Sequence, residues 1–314
     1  ALDQLSGELH ASTQAVLIEN SRVLRQAVLE RQLSALGAQP KALNQGAWVQ
    51  LPRQSGQLAG DSNTNRTAHS STGLLVGFDH TLEQGTRLGV VAGSGSTDVK
   101  TQGRGKASVD TYQLGLHANA FGLYGGIAYA QHEVQTKRRV SFPGVDNHLS
   151  AKYVSRTVQT FAEANYTFSH DSWDWQPYLQ LANVQQRSEG FKERGGIAAL
   201  RGKRSKESVN LTTGGVRANL DLGKAQLGPS WLSLRGGLAY THASGDLQST
   251  TQAAWDGGRV MSVSGAALDR LSTRLELGAT ARLTRDSALD VGFSQQRGER
   301  TRDQSITAQY SLEF

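Results

Sequence analysis

Residues 112–119 read YQLGLHAN, with Tyr112, Leu114, Leu116 and Ala118 at every second position and Gln113, Gly115, His117 and Asn119 between them. Such alternation sends one side-chain set to each face of an extended strand. The period continues on either side of this segment. Upstream, Leu74, Val76 and Phe78 alternate with Gly73, Leu75, Gly77 and Asp79, and Leu88, Val90 and Ala92 alternate with Arg87, Gly89, Val91 and Gly93. Downstream, Leu275, Leu277, Ala279 and Ala281 alternate with Arg274, Glu276, Gly278 and Thr280. A final run sets Ile306, Ala308, Tyr310, Leu312 and Phe314 against Thr307, Gln309, Ser311 and Glu313.

Twelve segments of this kind are predicted, at 46–54, 67–80, 86–99, 106–119, 121–137, 150–168, 173–187, 207–222, 229–243, 268–284, 287–298 and 303–314. Most exceed the ~5–6 residues usual in soluble sheets and reach the ~9–11 that a tilted strand needs to cross a bilayer. Their connections alternate in length. Those near 81–85, 119–121, 169–172, 223–228 and 285–286 are short, whereas 55–66, 138–149, 188–206 and 244–267 read as long loops, with 100–105 and 299–302 intermediate. Tight turns at one end and long loops at the other mark an outer-membrane barrel.

Aromatic residues give an independent signal. Phe78, Phe121, Tyr124, Tyr166, Phe168, Trp173, Trp175, Trp231, Tyr310 and Phe314 all fall near the short-turn ends or the C-terminus. Those ends share one rim, where amphipathic rings suit a membrane interface. The fold class read from the chain is therefore an all-β membrane protein, a 12-stranded antiparallel up-and-down barrel with an apolar outer face and a polar lumen.

Composition agrees. Hydrophobic residues make up 37% of 314, with 35 Gly and no Cys, which excludes disulfides and Cys-ligated zinc. The longest aliphatic stretch, Ala15–Ile18, is far short of the ~20 residues of a membrane helix. A net charge of +6 is spread along the chain, without a basic helix or aromatic RNA-binding strand, so no nucleic-acid partner is expected. No signal segment opens the chain, so an export signal is expected either upstream of Ala1 or not at all.

The first 36 residues carry a different period. Leu2, Leu5, Leu9, Val16, Val23 and Ala27, with Leu17, Leu24, Val28 and Leu36, recur at helical steps. Gly37 and Pro40 read as the stop, while Gly7 and Ser12-Thr13 weaken the early part and allow two pieces. Gln4, Glu8, Glu19, Arg22, Arg25, Glu30 and Arg31 form the polar face of this amphipathic helix. The predicted organisation is a linker helix in 1–45 and a barrel in 46–314. Twelve strands lie between a barrel filled by side chains and an aqueous channel, leaving room on the order of one helix, ~10 Å across. Threaded into the lumen, the helix is expected to match Glu19, Arg22, Arg25 and Arg31 to pore-lining Arg87, His117, Glu163, Arg217, Arg235, Arg274 and Glu276. Packing beneath the barrel is the other placement.

The segment ALDQLSGELHAS at 1–12, the helix after it, GAWVQ at 46–50, TGLLVGFDH at 72–80, LGVVAGSGS at 88–96, FKERGGIAAL at 191–200 and the terminal YSLEF resemble, in order and spacing, the C-terminal translocator β-domain of autotransporters, the type V secretion systems. The resemblance covers essentially the whole chain. It implies a monomeric translocator in the outer membrane of a Gram-negative bacterium, anchoring an N-terminal passenger and enabling its export to the cell surface. It also implies partners: that passenger, periplasmic chaperones, the barrel-assembly machinery, and outer-membrane lipid and lipopolysaccharide. Tyr310, Leu312 and above all Phe314 would be the assembly signal, and Phe78, Tyr166, Phe168, Trp173, Trp175 and Trp231 the rim.

Catalytic chemistry finds little support. Passenger release by asparagine cyclisation often uses an Asn-Asn pair, which is absent; Asn20-Ser21 is a weak substitute. An outer-membrane phospholipase would need a lipid-facing Ser–His pair, yet His69, His117 and His132 point to the lumen and only His242, near Ser244, faces outward. No metal-spaced His pair occurs, and neither a cofactor nor catalysis is expected. In the loop 188–206, Lys192, Arg194, Arg201, Lys203, Arg204 and Lys206 outnumber Glu189 and Glu193, offering bonds to lipopolysaccharide phosphates or merely a solvated loop. A general porin, open and without need of a helix, is the main alternative function.

Overall fold

A computed structural model describes residues 5–31, 46–83 and 85–314. Twelve long strands form the wall: β1 (Gly46–Leu58), β2 (Thr67–Thr81), β3 (Arg87–Thr101), β4 (Gly105–Ala120), β5 (Leu123–Phe142), β6 (Val145–Asn165), β7 (Trp173–Ser188), β8 (Ser205–Asp221), β9 (Leu232–Gly245), β10 (Leu271–Arg282), β11 (Ser287–Gly298) and β12 (Thr301–Leu312). Each pairs antiparallel with its neighbours in sequence. The last strand returns to the first, with Ala47 opposite Leu312 and Leu58 opposite Thr301, so no edge is left exposed. A short strand at Phe168–His170 doubles back on Trp173–Trp175.

The side-chain alternation is inverted relative to a soluble barrel. On β4, Tyr112, Leu114 and Leu116 are each more than half exposed, whereas Val109 and Gln113 lie on the inner side. Leu74, Val76, Leu88, Val90, Ile127, Leu179, Leu181, Leu275 and Leu277 are likewise exposed. Apolar groups turned outward around a closed wall are stable only against lipid.

Turn chemistry fits the two ends. The β4–β5 turn is only Phe121-Gly122, both left-handed at φ 53° and 77°. Its Gly122 carbonyl accepts a bond from the Asn165 amide at 3.0 Å. At the opposite end the expected long loop at 138–149 is not a loop: β5 and β6 continue past the other strands and join through Pro143-Gly144. Val140 and Leu149 stay buried there with Ala198, and this apolar contact supports the extended hairpin. The long connections at this end are 59–66, 189–204 and 246–270, while at the turn end 222–231, expected short, runs longer than 59–66. The connections 189–204 and 246–270 fold into a small sheet of Phe191–Lys192, Leu200–Gly202, Gln248–Trp255 and Met261–Ala267 across the barrel mouth.

Inside the wall run α1 (Glu8–Asn20) and α2 (Arg22–Glu30). The break comes at Ser21, whose hydroxyl bonds the Ile18 carbonyl at 2.7 Å, rather than at Ser12-Thr13; Gly7 serves as the N-cap of α1. The expected stop at Gly37 and Pro40, and Gln4 on the polar face, lie outside the described residues. α1 is not amphipathic in effect, since Glu8 through Ile18 are all buried. Protein surrounds it on every side, so the face expected to be polar meets the inner wall.

Candidate functional site

In the helix-filled lumen, buried charged side chains converge in numbers. Near the mouth, Glu8 bonds the Asn65 amide group at 2.9 Å and the Arg104 guanidinium at 2.8 Å. His10 stacks on Phe191 at 3.6 Å and meets Glu193 at 3.0 Å and the Tyr153 hydroxyl at 3.3 Å. Glu193 also takes both arms of Arg138, at 2.6 and 2.7 Å, and the Leu200 amide at 2.9 Å. Burial alone would raise the Glu193 carboxyl, but hydrogen bonds from Arg138 and His10 hold it down to about 2. Gln14 joins Ser155, Gln186 and Ser188, and the Ser12 hydroxyl accepts the Ala266 amide at 3.0 Å. Gly265 lets the small sheet touch the helix, because a Cβ there would strike the Ala11–Ser12 backbone.

At the break, the Asn20 amide donates to Ser71 at 3.0 Å and Thr97 at 3.1 Å, and Gln159 donates to the Ser21 carbonyl at 2.9 Å. A cavity of about 60 Å³ lies beside it, also lined by His132, which is held between Thr111 and Thr157 at 2.9 Å each.

Below the break arginines dominate. Arg22 reaches Asp303 at 3.0 Å and bonds Gln296; Asp303 also takes Gln54 at 2.9 Å and faces His69 at 3.1 Å. Arg25 donates to Gln159 at 2.8 Å. Arg31 pairs with Asp79, donates to Ser311 at 2.9 Å and lies over the Trp48 ring at 5.8 Å. Trp48 points inward and is buried against Gly77, where a Cβ would overlap its ring.

The expected partners are therefore redistributed. Glu163 and Arg217 form a two-armed pair at 2.6 and 3.0 Å, with Arg217 on the Tyr178 face at 3.7 Å. Arg235 pairs with Asp290, and Arg274 with Glu276 at 2.7 Å. These inner-wall groups pair directly with one another, and Glu30 and Arg25 of α2 act on them across space rather than through an ion-pair contact. His117 stands 3.3 Å from Asp79, and Arg87 sits half-buried at the start of β3. Glu19 pairs with Arg22, at 3.5 Å, on its own helix segment. The helix-holding acids Asp79 and Asp303, and Asp290 on the wall, were not picked out by sequence reasoning. The available signal was their inward parity, shared with His69 and Leu75 on β2 and with Gln309 and Ser311 on β12.

On the outer face Phe78, Tyr166, Phe168, Trp173, Trp175 and Trp231 are exposed around the short-turn end. Tyr166 and Phe168 meet edge-on at 4.8 Å, Trp173 and Trp175 stack at 5.6 Å, and exposed Phe314 lies on Phe78 at 6.1 Å. Tyr310 and Leu312 also face outward. Tyr124, expected in this rim, instead turns inward against the cluster around Leu24 and Trp48. His242 and Ser244 both point outward.

A family model described as the autotransporter beta-domain matches residues 47–294. Two curated relatives, each an extracellular serine protease of Serratia marcescens, are 31% identical to this chain over its whole length. The chain spans 31% of the length of each. Among solved structures, the translocator domain of the autotransporter NalP from Neisseria meningitidis superposes with a TM-score of 0.76 at 15% identity, covering 98% of this chain and 100% of that one. The β-domain of the Bordetella autotransporter BrkA gives 0.61 at 16% identity, over 87% of this chain and 100% of that one.

Proposed function

Because the chain belongs to the autotransporter β-domain family and is an outer-membrane translocator domain of the Gram-negative type, we propose how its barrel and helix divide the labour. Residues 46–314 span the membrane, and 1–45 form the linker left in the pore once a passenger upstream has reached the surface. One observation carries this reading. Leu5 packs at the loop end of the barrel with Val140 and Leu149, while β1 starts at the turn end, so the described helical segment has its N-terminal end on the long-loop side. Long loops are extracellular in such barrels.

In this reading Arg22, Arg25 and Arg31 hold the plug through Asp303, Gln159 and Asp79. The pairs Glu163–Arg217, Arg235–Asp290 and Arg274–Glu276 keep the wall polar without gripping the passing chain. Tyr310, Leu312 and Phe314 serve as the signal read by the assembly machinery after delivery by periplasmic chaperones, and the aromatic rim seats the barrel as a monomer in lipid. The barrel itself carries no catalysis. The relatives' description makes a secreted protease the first passenger class to test.

The test fuses an unfolded reporter, behind a signal peptide, to Ala1 and exposes intact cells to protease. Digestion of the reporter alongside an inserted barrel is the expected result. A reporter that stays protected behind a properly inserted barrel overturns the secretion reading and favours a porin.

A further inference from the structure

The outward face carries two rows of like charge that the fold neutralises only at one position. Lys100 of β3 lies directly opposite Lys106 of β4, which lies opposite Lys137 of β5. Farther round, Arg156 of β6 lies opposite Arg187 of β7, which lies opposite Lys206 of β8. All six side chains are exposed. Like charges directly opposite on one face of a sheet destabilise it. Of these six, only Arg156 has an ion-pair partner among the described residues, Glu189 at 2.7 Å. The nearby outward acids sit below the rows rather than within them: Asp98 is the next outward position below Lys100 and accepts a bond from Ser108 at 3.3 Å, and Asp110 faces Glu133 two outward positions below Lys106 and Lys137.

Their height identifies the missing anion. A strand tilted near 40° climbs roughly 2.5 Å per residue. Arg156 is the next outward position after exposed Val158, about 5 Å higher, and Lys106 is three outward positions beyond Tyr112, about 15 Å higher. The cations thus begin at the upper edge of the apolar band and extend roughly 10 Å beyond it. A single plane of simple headgroups does not fill such a depth; a glycolipid with phosphates at more than one level does.

We propose that the outer wall of β3–β8 is a binding surface for the phosphates of a phosphorylated outer-leaflet glycolipid, with Lys100–Lys106–Lys137 and Arg156–Arg187–Lys206 as its two contact rows. The proposal rests on the outer-membrane assignment and gives its lipid partner a location on the wall, apart from the loop 189–204.

The test reconstitutes the 314-residue chain in phosphatidylcholine vesicles alone, with lipopolysaccharide, with dephosphorylated lipopolysaccharide, or with phosphatidylglycerol at equal charge. Binding of labelled lipopolysaccharide is measured, with heat-modifiable gel mobility reporting folding. The unsubstituted chain is expected to bind the intact glycolipid best. K100Q/K106Q/K137Q and R156Q/R187Q/K206Q should each weaken binding about a hundredfold, since each cation near an anionic surface contributes roughly fivefold. R53Q/R302Q, on the far wall, should bind unchanged. If a triple variant fails to fold, the single variants carry the test at about fivefold each. Equal binding of dephosphorylated glycolipid, equal binding of phosphatidylglycerol, or triple variants that bind like the unsubstituted chain would overturn the proposal. Failure to insert into any vesicle would instead overturn the barrel reading beneath it.

Discussion

The upper and lower halves of the lumen hold one continuous segment by different physics. Around α1 close packing and neutral hydrogen bonds outnumber the charged contacts Glu8–Arg104 and His10–Glu193, with Leu9, Val16 and Leu17 in a cluster shared with Phe191, Leu200, Ala253 and Ala266 of the folded-in loops. Around α2 three arginines cross to the wall, and the apolar set is narrower, built on Leu24, Val28 and Leu29 against Trp48 and Leu75. Loops can adapt to a helix; a closed wall cannot, and must present its polar groups in place. The upper half should therefore fail by loss of fit and the lower half by loss of charge partners.

The largest break of this contrast is removal of the segment. Deleting residues 1–36 should turn a low-conductance barrel into an open one in planar bilayers, and conductance unchanged by the deletion would contradict a luminal plug. Next is Asp303→Ala, which takes the nearer carboxylate from Arg22 and leaves it Glu19 at 3.5 Å. Fully stranding a buried charge costs about 3–5 kcal/mol, so a loss below that range, with frequent opening events and a lower unfolding midpoint, is expected, with the small sheet still protected from proteolysis. Gly265→Val should do the reverse, loosening the upper half by about 1–3 kcal/mol as the side chain pushes on the Ala11–Ser12 backbone. Loop proteolysis should rise while the arginine pairs persist.

The smallest effect is a dependence on acid. The folded carboxyl of Glu193 is held at about 2, below its ordinary 4.5. A depressed carboxylate stabilises the fold above its unfolded value, and this contribution is lost as pH falls from about 4.5 towards 2. Hydrogen exchange in 189–204 should rise over that window and stay flat above it; Glu193→Gln should flatten the response.

Much of this was legible along the chain. Two-residue alternation reports a closed wall because both faces are chemically uniform over many residues, so each of the twelve strands lay within a few residues of its expected place. The hairpin at 138–149 was misread because its polar outward residues, Lys137, Arg139 and His148, resemble a loop once a strand has left the membrane. Tyr124 was misplaced for a related reason: nearness to a turn does not fix parity, and it sits one residue out of phase with exposed Leu123.

The sequence by itself determined the barrel, its outward apolar face, its polar lumen and the presence of a helix ahead of the first strand, because these depend on period and local chemistry. Only the tertiary structure decided which charges meet. Arg22 finds Asp303, Arg31 finds Asp79, and Glu163 turns to Arg217 rather than to the helix. Strand shear and helix depth fix those pairings, and neither quantity is written in the spacing of any one segment.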